Sequence, residues 1–243
     1  MLSKSQVKYI QSLGHKKFRD ETNLFIAEGP KSVQDLLAEV PQHIVTVYAV
    51  EKWINENIKL KSSAEFVKID ENELGRISQL PAPNQVIAVV KKFNYGNLSA
   101  KGEITLALDT IQDPGNLGTI IRIADWFGIS QIICSRDCAD LYNSKVVQAT
   151  MGSISRVNVF YSDLPVWLKG QLGVRIYATM LEGKDVTKMD TIKEGLIIIG
   201  NESTGIDQEV LPYSNEKISI PRKGGAESLN VAVATGIILS HLV

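Results

Sequence analysis

The residues best suited to chemistry lie in three loops in the second half of the chain. Each loop contributes two polar residues: Asn116 and Arg122, Asn201 and Glu202, and Ser228 and Asn230. Exposed backbone and amide groups in such loops can bind a small polar ligand. A nucleoside triphosphate site is not indicated, because no loop carries GKS or GKT after its glycines and no GxGxxG follows a strand.

Each loop by itself also has a simpler explanation. DPGN, from 113 to 116, is typical of a strand-to-helix connection in which Asn116 caps the helix. GNESTG, from 200 to 205, could be a capping turn before a helix that starts at about 206. The apolar run from Ser228 to the C-terminus predicts a buried helix, and Asn230 in its first turn could be a cap. A plain connection does not explain Arg122.

The elements that must position these loops alternate between short apolar runs and amphipathic segments. In the second half the predicted strands are 104–108, 131–135, 174–179, 195–200 and 217–220. Nearly continuous apolar strands separated by helices predict a parallel α/β sheet covered on both faces. Ligands of such sheets bind at the carboxyl ends of the strands, where the three loops are expected.

The first half predicts a smaller α/β unit. Its predicted strands are 24–29, 43–50, 65–69 and 85–92, with helices over PKSVQDLLAE and ENELGRISQ. The polar segment 92–103 has no apolar period and is the best linker candidate. We therefore expect two domains, 1–98 and 99–243.

The helix after the first loop is expected to be apolar on two sides. At 100° per residue one face holds Leu117, Ile120, Ile121, Ala124 and Gly128, and the other holds Arg122, Trp126 and Ile129. A second apolar face predicts a partner beyond the helix's own sheet, and a subunit interface is the simplest one. Arg122 would lie at the edge of that interface.

Composition limits the other possibilities. The chain has 243 residues, 44% of them hydrophobic and 22% charged, which is typical of a globular protein. We expect no membrane segment and no signal peptide, hence a cytoplasmic protein. Two cysteines and three histidines without ligand spacing predict free thiols and no metal site.

Two basic clusters indicate a possible polyanionic partner, although the formal net charge is only −1. The first cluster has six members: Lys4, Lys8, His15, Lys16, Lys17 and Arg19. The second is Arg222 with Lys223. Both are compatible with one extended polyanion but do not require it, and a solvated helix face would explain the first cluster equally well.

The order NLGTIIR, GNESTG and IPRKGGAESLNVAVA resembles the SpoU/TrmH family of RNA ribose methyltransferases, within the SPOUT superfamily. The resemblance covers about 140 residues from position 104 onward. The segment FIAEGPKSVQDLL is similar to the substrate-binding domain that some members carry. All six polar loop residues match the family pattern.

The resemblance implies a trefoil-knotted α/β domain, a homodimer, the cofactor S-adenosylmethionine, and a ribosomal or transfer RNA substrate. It implies catalytic roles for Arg122, Asn116, Glu202, Ser228 and Asn230. The residues it implies for cofactor binding are Thr179, Met180, Leu181, Gly200, Asn201, Ile220 and Leu229. RNA contacts are expected from Lys16, Lys17, Arg19, Arg222 and Lys223. The alternative is a catalytically silent RNA-binding or ribosome-assembly factor with the same fold.

Overall fold

The computed structural model describes residues 1–60, 64–96 and 98–243. The chain forms two compact units. The first combines Met1–Asn94 with Asp140–Arg156, and the second combines Tyr95–Ala139 with Val157–Val243. The predicted linker 92–103 includes Asn97, which lies outside the described residues. On either side of it, 92–96 and 98–103 form neither helix nor strand. The functional division at 98/99 stays a prediction.

The first unit contains a four-stranded sheet in the order β1-β4-β2-β3. The strands are β1 Leu24–Glu28, β2 Ile44–Ala49, β3 Glu65–Lys68 and β4 Val86–Lys91. β4 pairs antiparallel with β1 and β2, and β3 pairs parallel with β2. The helices of this unit are α1 Lys4–Ser12, α2 Lys16–Thr22, α3 Pro30–Glu39, α4 Glu51–Glu56, α5 Glu71–Ile77 and α7 Ser144–Thr150. The four strands and two helices predicted here are confirmed.

Local signals fix two of these helices. Ser3 and Gln6 form a capping box at the start of α1, and Asp70 and Glu73 form another at α5. In each case the side chains satisfy backbone N–H groups that a helix start leaves unpaired.

The second unit contains a six-stranded parallel sheet in the order β10-β8-β9-β5-β6-β7. The strands are β5 Ile104–Leu108, β6 Gln131–Ser135, β7 Asn158–Ser162, β8 Ile176–Asp185, β9 Gly195–Ile199 and β10 Glu216–Ser219. Its helices are α6 Pro114–Trp126, α8 Leu164–Lys169 and α9 Val231–Leu242. The predicted parallel α/β sheet is confirmed. β7 was not predicted, because its apolar run covers only 159–161 between polar residues.

Two predictions about the second unit are wrong. No α-helix starts at about 206, where the chain instead makes turns and a 3₁₀ segment at Leu211–Tyr213. The C-terminal helix starts at Val231 and not at Ser228, because Asn230 ends the extended loop and caps the helix.

Candidate active site

The loops after β5 and β9 meet at the carboxyl edge of the parallel sheet. β5 and β9 are neighbours in register, with Leu108 opposite Ile199. Beyond that pair the Asp109 N–H donates to the Ile199 carbonyl oxygen at 2.9 Å. Side chains from the two loops are therefore held within contact distance, as the strand pattern predicted.

Three of the predicted catalytic residues form one hydrogen-bonded chain. Asn116 Nδ2 donates to Glu202 Oε1, and Asn230 Nδ2 donates to Asn116 Oδ1 at 2.9 Å. The amide orientations are consistent, because the carboxylate can only accept from Asn116, which leaves Asn116 Oδ1 to accept from Asn230. The Glu202–Asn116–Asn230 chain joins all three loops.

Asn116 can join this chain because another residue caps its helix. Asp113 is the N-cap of α6, and its Oδ1 accepts the Asn116 N–H at 2.8 Å. Pro114 occupies the first helical position, where a missing N–H costs nothing. The prediction that Asn116 caps α6 is therefore wrong, and its side chain is free for the other two loops.

Asn230 has two roles in the structure. As N-cap of α9, its Oδ1 accepts from Ala232 N at 3.0 Å and from Val233 N at 3.3 Å. Its Nδ2 is left to bind Asn116. The expectation of a buried amide inside the helix is wrong, because Asn230 and Ser228 both lie on the exposed face of the loop. Among the described residues, Ser228 has no hydrogen bond to the chain of three.

Arg122 lies in the middle of α6 and is exposed. No described residue forms a hydrogen bond or ion pair with its guanidinium. Trp126, one turn further along the same face, is 86% exposed, while Leu117, Ile120, Ile121 and Ala124 are buried. The predicted two-sided helix is confirmed except at Gly128 and Ile129, which both lie beyond its end, where Gly128 is exposed and Ile129 is buried. The planar guanidinium is accessible to a phosphate.

The GNESTG loop is closed on itself. Asn201 and Gly205 pair through both backbone groups, N to O at 3.0 Å and O to N at 2.9 Å. A Cβ on Gly200 would lie 2.5 Å from the Gly205 carbonyl carbon, so only glycine fits at this close approach. The tight loop directs Glu202 towards Asn116.

Thr179, Met180 and Leu181, which were predicted to bind the cofactor, lie on an arch within β8. Lys217 of β10 lies opposite Ala178, but the next residue, Ile218, lies opposite Lys184, so residues 179–183 leave the ladder. Gly183 returns the chain against β10, where a Cβ would lie 2.7 Å from Lys217 backbone atoms. Leu181 on the arch is 75% exposed. The arch therefore leaves an apolar side chain open to solvent.

The other predicted cofactor residues lie at strand ends and loops of the same unit. Thr179 Oγ1 donates to the Ile198 carbonyl oxygen at 2.9 Å, and Met180 and Ile220 are half-buried. Leu229, just before the cap of α9, is 45% exposed. Partly exposed apolar side chains of this kind suit a ligand with an aromatic ring to bury.

Comparison with known proteins decides the family. Residues 103–240, more than half of the chain, match the SpoU rRNA Methylase family, and residues 4–88 match the MRM3-like substrate binding domain. The chain belongs to the SpoU rRNA methylase family. The resemblance inferred from the three loops is confirmed.

Similar proteins span nearly the whole of this SpoU family member. The chain is 32% identical over 241 residues to the 23S rRNA (guanosine(2553)-2′-O)-methyltransferase RlmP of Bacillus subtilis, covering 98% of this chain and 95% of RlmP. An AdoMet-bound rRNA methyltransferase from Sinorhizobium meliloti is 33% identical, with a TM-score of 0.85 over 99% of this chain and 95% of its own. The AdoMet complex of AviRb from Streptomyces viridochromogenes is 25% identical, with a TM-score of 0.85 over 98% and 97%.

The basic residues predicted to contact RNA divide into exposed and buried. Lys16 and Lys17, like Arg222 and Lys223, are exposed. Arg19 is only 2% exposed. Its Nη2 pairs with Asp140 Oδ2 at 2.5 Å, and its Nη1 donates to the carbonyl oxygens of Leu13 and Gly14. The prediction for Arg19 is corrected, because a buried, paired guanidinium is not available to an RNA phosphate.

Both cysteines are free, as predicted, and both are buried. Cys138 Sγ accepts the Ile111 N–H at 3.2 Å beneath the connection from β5 to α6. A hydrogen bond from Cys134 lowers the pKa of Cys138 to about 7, whereas burial raises the pKa of Cys134. Among residues 1–60, 64–96 and 98–243, no His, Cys, Asp and Glu group of three could hold a metal ion. No helix in that part of the chain is long and apolar enough to span a membrane.

Sequence reasoning missed Thr110 and Ser135, which connect the loop after β5 to the end of β6 beneath the site. Thr110 has a positive φ of 60° and donates its N–H to Ser135 Oγ at 2.8 Å. The sequence gives no sign of this conformation at Thr110, since β-branched residues rarely adopt a positive φ.

Proposed function

We propose that the protein transfers a methyl group from S-adenosylmethionine to the ribose 2′-hydroxyl of a nucleotide in ribosomal RNA. The observation that carries the proposal is the Glu202–Asn116–Asn230 chain, formed in a SpoU family member that matches RlmP over nearly its full length. We propose that the reaction takes place in the cytoplasm.

The structure fits a bound S-adenosylmethionine. The arch over 179–183 has left its ladder and exposes Leu181, and Leu229 is exposed beside the cap of α9. Thr179, Met180 and Leu181 would hold the cofactor from β8. Gly200 would hold it from just after β9, Ile220 from just after β10, and Leu229 from the last loop. When bound, the cofactor supplies an electrophilic methyl group.

Arg122 is assigned to the RNA. A guanidinium keeps its proton in proteins and is a poor base, so Arg122 binds a phosphate next to the target ribose and stabilises the developing alkoxide. The RNA itself assists in removing the hydroxyl proton. Glu202, Asn116 and Asn230 orient the three loops around the reacting oxygen, and Ser228 lies beside them on the exposed loop.

We further propose a homodimer that uses α6 and α9. The two helices pack on each other, since a Cβ on Gly236 would lie 3.7 Å from Ile123 Cδ1. The exposed apolar side chains of the two helices are Trp126 of α6 at 86% and Val233 of α9 at 53%. A second copy would cover this apolar surface, with Arg122 at its edge.

Two finer features of the family are proposed for this chain. The first is a trefoil knot in the second unit, in keeping with the hydrogen bond from Ile192 N–H to the Leu242 carbonyl oxygen at 2.7 Å, which ties the end of α9 to the segment before β9. The second is RNA binding by residues 1–98 through Lys16 and Lys17, assisted by Arg222 and Lys223 from the last loop.

The proposal is tested by methylation of ribosomal RNA from a strain that lacks the gene. The purified protein and S-adenosylmethionine should produce one 2′-O-methylated nucleoside, detected by mass spectrometry of the digested RNA. A methylated base without 2′-O-methylation would overturn the reaction assigned here. Absence of both methylation and calorimetric cofactor binding would instead support a silent RNA-binding factor.

A further inference from the structure

Thr110 is held in a strained backbone conformation beside the candidate active site. It lies two residues after β5 with φ at 60°, a left-handed region that β-branched residues rarely adopt. Such strain persists only where the surroundings fix it. Here the Thr110 N–H donates to Ser135 Oγ of β6, and its carbonyl oxygen accepts from Asn201 Nδ2, both at 2.8 Å.

Asn201 is almost fully used within the protein. Its Oδ1 accepts from Ser203 N at 2.8 Å and from Thr204 N at 3.2 Å. Its backbone N–H and carbonyl both pair with Gly205. With Nδ2 on Thr110, only one side-chain hydrogen is left, so the side chain has little capacity to bind a cofactor.

We propose that Asn201 is a positioning residue that clamps the connection from β5 to α6 against the GNESTG loop. This inference rests on the proposed methyl transfer and replaces the cofactor-binding role expected for the Asn201 side chain. Ser135 is the second anchor of the clamp, on the opposite side of Thr110.

The clamp sets the geometry of the Glu202–Asn116 pair. Glu202 directly follows Asn201, and Asp113, the cap of α6, comes three residues after Thr110. Without the bond from Asn201, Thr110 can relax to a negative φ, which reorients the next peptides and shifts the start of α6. A displacement of about 1 Å at a reacting centre can reduce the rate about a hundredfold.

Asn201→Asp tests the clamp with a minimal change. The carboxylate keeps the acceptor for Ser203 and Thr204 but loses the donor to Thr110. The single-turnover methylation rate should fall by at least about tenfold, while calorimetric cofactor affinity stays within about twofold. Ser135→Ala, which removes the other anchor, should lower the rate in the same way. A normal methylation rate in Asn201→Asp would overturn the positioning role, whether or not cofactor binding is weakened.

Asn215→Asp is the matched control. Asn215 Oδ1 also accepts a backbone N–H, that of Ile176 at 2.7 Å, at the amino end of the sheet. The same amide-to-acid change there should leave the methylation rate unchanged. An equal loss in the control would assign the effect to added charge and would contradict the clamp.

Hydrogen exchange separates this inference from the proposed function, because it needs no turnover. In Asn201→Asp, amide exchange over 109–113 should become faster, while Ser203 and Thr204 keep their protection through the retained acceptor. Unchanged exchange over 109–113 would refute the clamp even in an active enzyme. Faster exchange in a protein that methylates no RNA would retain the clamp and refute the proposed reaction.

Discussion

The two roles of Asn230 can be separated by two substitutions. Asn230→Ala removes both the cap of α9 and the donor to Asn116. Asn230→Asp keeps an acceptor for Ala232 and Val233 and loses only the donor. If the Glu202–Asn116–Asn230 chain serves methyl transfer, both variants lose activity, but only the alanine variant loses stability.

The expected magnitudes follow from the contacts. Loss of an asparagine N-cap costs about 1 kcal/mol, which lowers Tm by about 2–4 °C in a chain of this length. Aspartate adds negative charge at a helix N-terminus, so Asn230→Asp should unfold at or slightly above the wild-type Tm. It also leaves Asn116 Oδ1 facing a carboxylate. A cost of about 1.4–2.7 kcal/mol for that unmade bond corresponds to a rate about 10- to 100-fold lower.

The assay combines thermal unfolding, calorimetric cofactor binding and single-turnover RNA methylation on each variant. Asn143→Asp is the control, since Asn143 caps α7 in the same way without contacting the site. Wild-type turnover in Asn230→Asp would refute a functional role for the donor to Asn116. Loss of Tm in Asn230→Asp would show that the substitution disturbs α9 itself.

Three further predictions concern assembly, RNA and pH. Trp126→Glu places a charge on the exposed apolar side of α6 and should give monomers by light scattering, with activity lost at the same time. Lys16→Ala with Lys17→Ala should weaken RNA binding and flatten its salt dependence by roughly 0.7 log units per lost phosphate contact for single strands. Burial raises the pKa of Glu28 above its usual 4.5, so the stability that it contributes is complete below that value and is lost as pH rises through the folded-state pKa. In urea unfolding at pH values from about 4 to about 7, the wild type should therefore lose stability relative to Glu28→Gln.

Each of these predictions has a control. Leu172→Glu changes another exposed apolar residue, and this control variant should stay dimeric. A Trp126→Glu variant that is also dimeric would place Trp126 outside the interface. Lys52→Ala on α4 is the control and should leave the salt dependence of RNA binding unchanged. An unchanged salt dependence in the Lys16 and Lys17 variant would assign those lysines to a solvated helix face. If the free energy of unfolding of Glu28→Gln and of the wild type changes with pH in the same way, the result would contradict a raised pKa for Glu28. Deletion of residues 1–20 would be no clean test, because Ile10, Leu13 and Arg19 are buried.

Much of the fold was predictable because its strands are strongly apolar. β5 and β6 were predicted at their observed bounds, and the three loops were correctly expected at the carboxyl ends of parallel strands. Edge strand β7 was missed because NVFYS is only partly buried. The absent helix after 206 shows that a glycine-flanked turn does not by itself start a helix.

The site was predictable in its members but not in its bonding. The resemblance supplied Asn116, Glu202 and Asn230, but sequence alone did not indicate that Asp113 would cap α6 and free Asn116. Arg19 belonged to a basic stretch, and only the fold shows its pairing with Asp140, 121 positions away. Such long-range partners depend on tertiary structure, which local patterns do not encode.

The most direct test of the account is single-turnover methylation of ribosomal RNA by the wild type and by Arg122→Lys, with cofactor binding measured on the same samples. Lysine keeps the charge but replaces the planar five-donor fork with one flexible ammonium. We expect 2′-O-methyl product from the wild type, a rate lowered by about a hundredfold or more in Arg122→Lys, and unchanged cofactor affinity. Arg175→Lys, the same change at a residue paired with Glu216 at 2.7 Å, should behave as wild type. No 2′-O-methyl product from the wild type, or normal turnover in Arg122→Lys, would contradict the account.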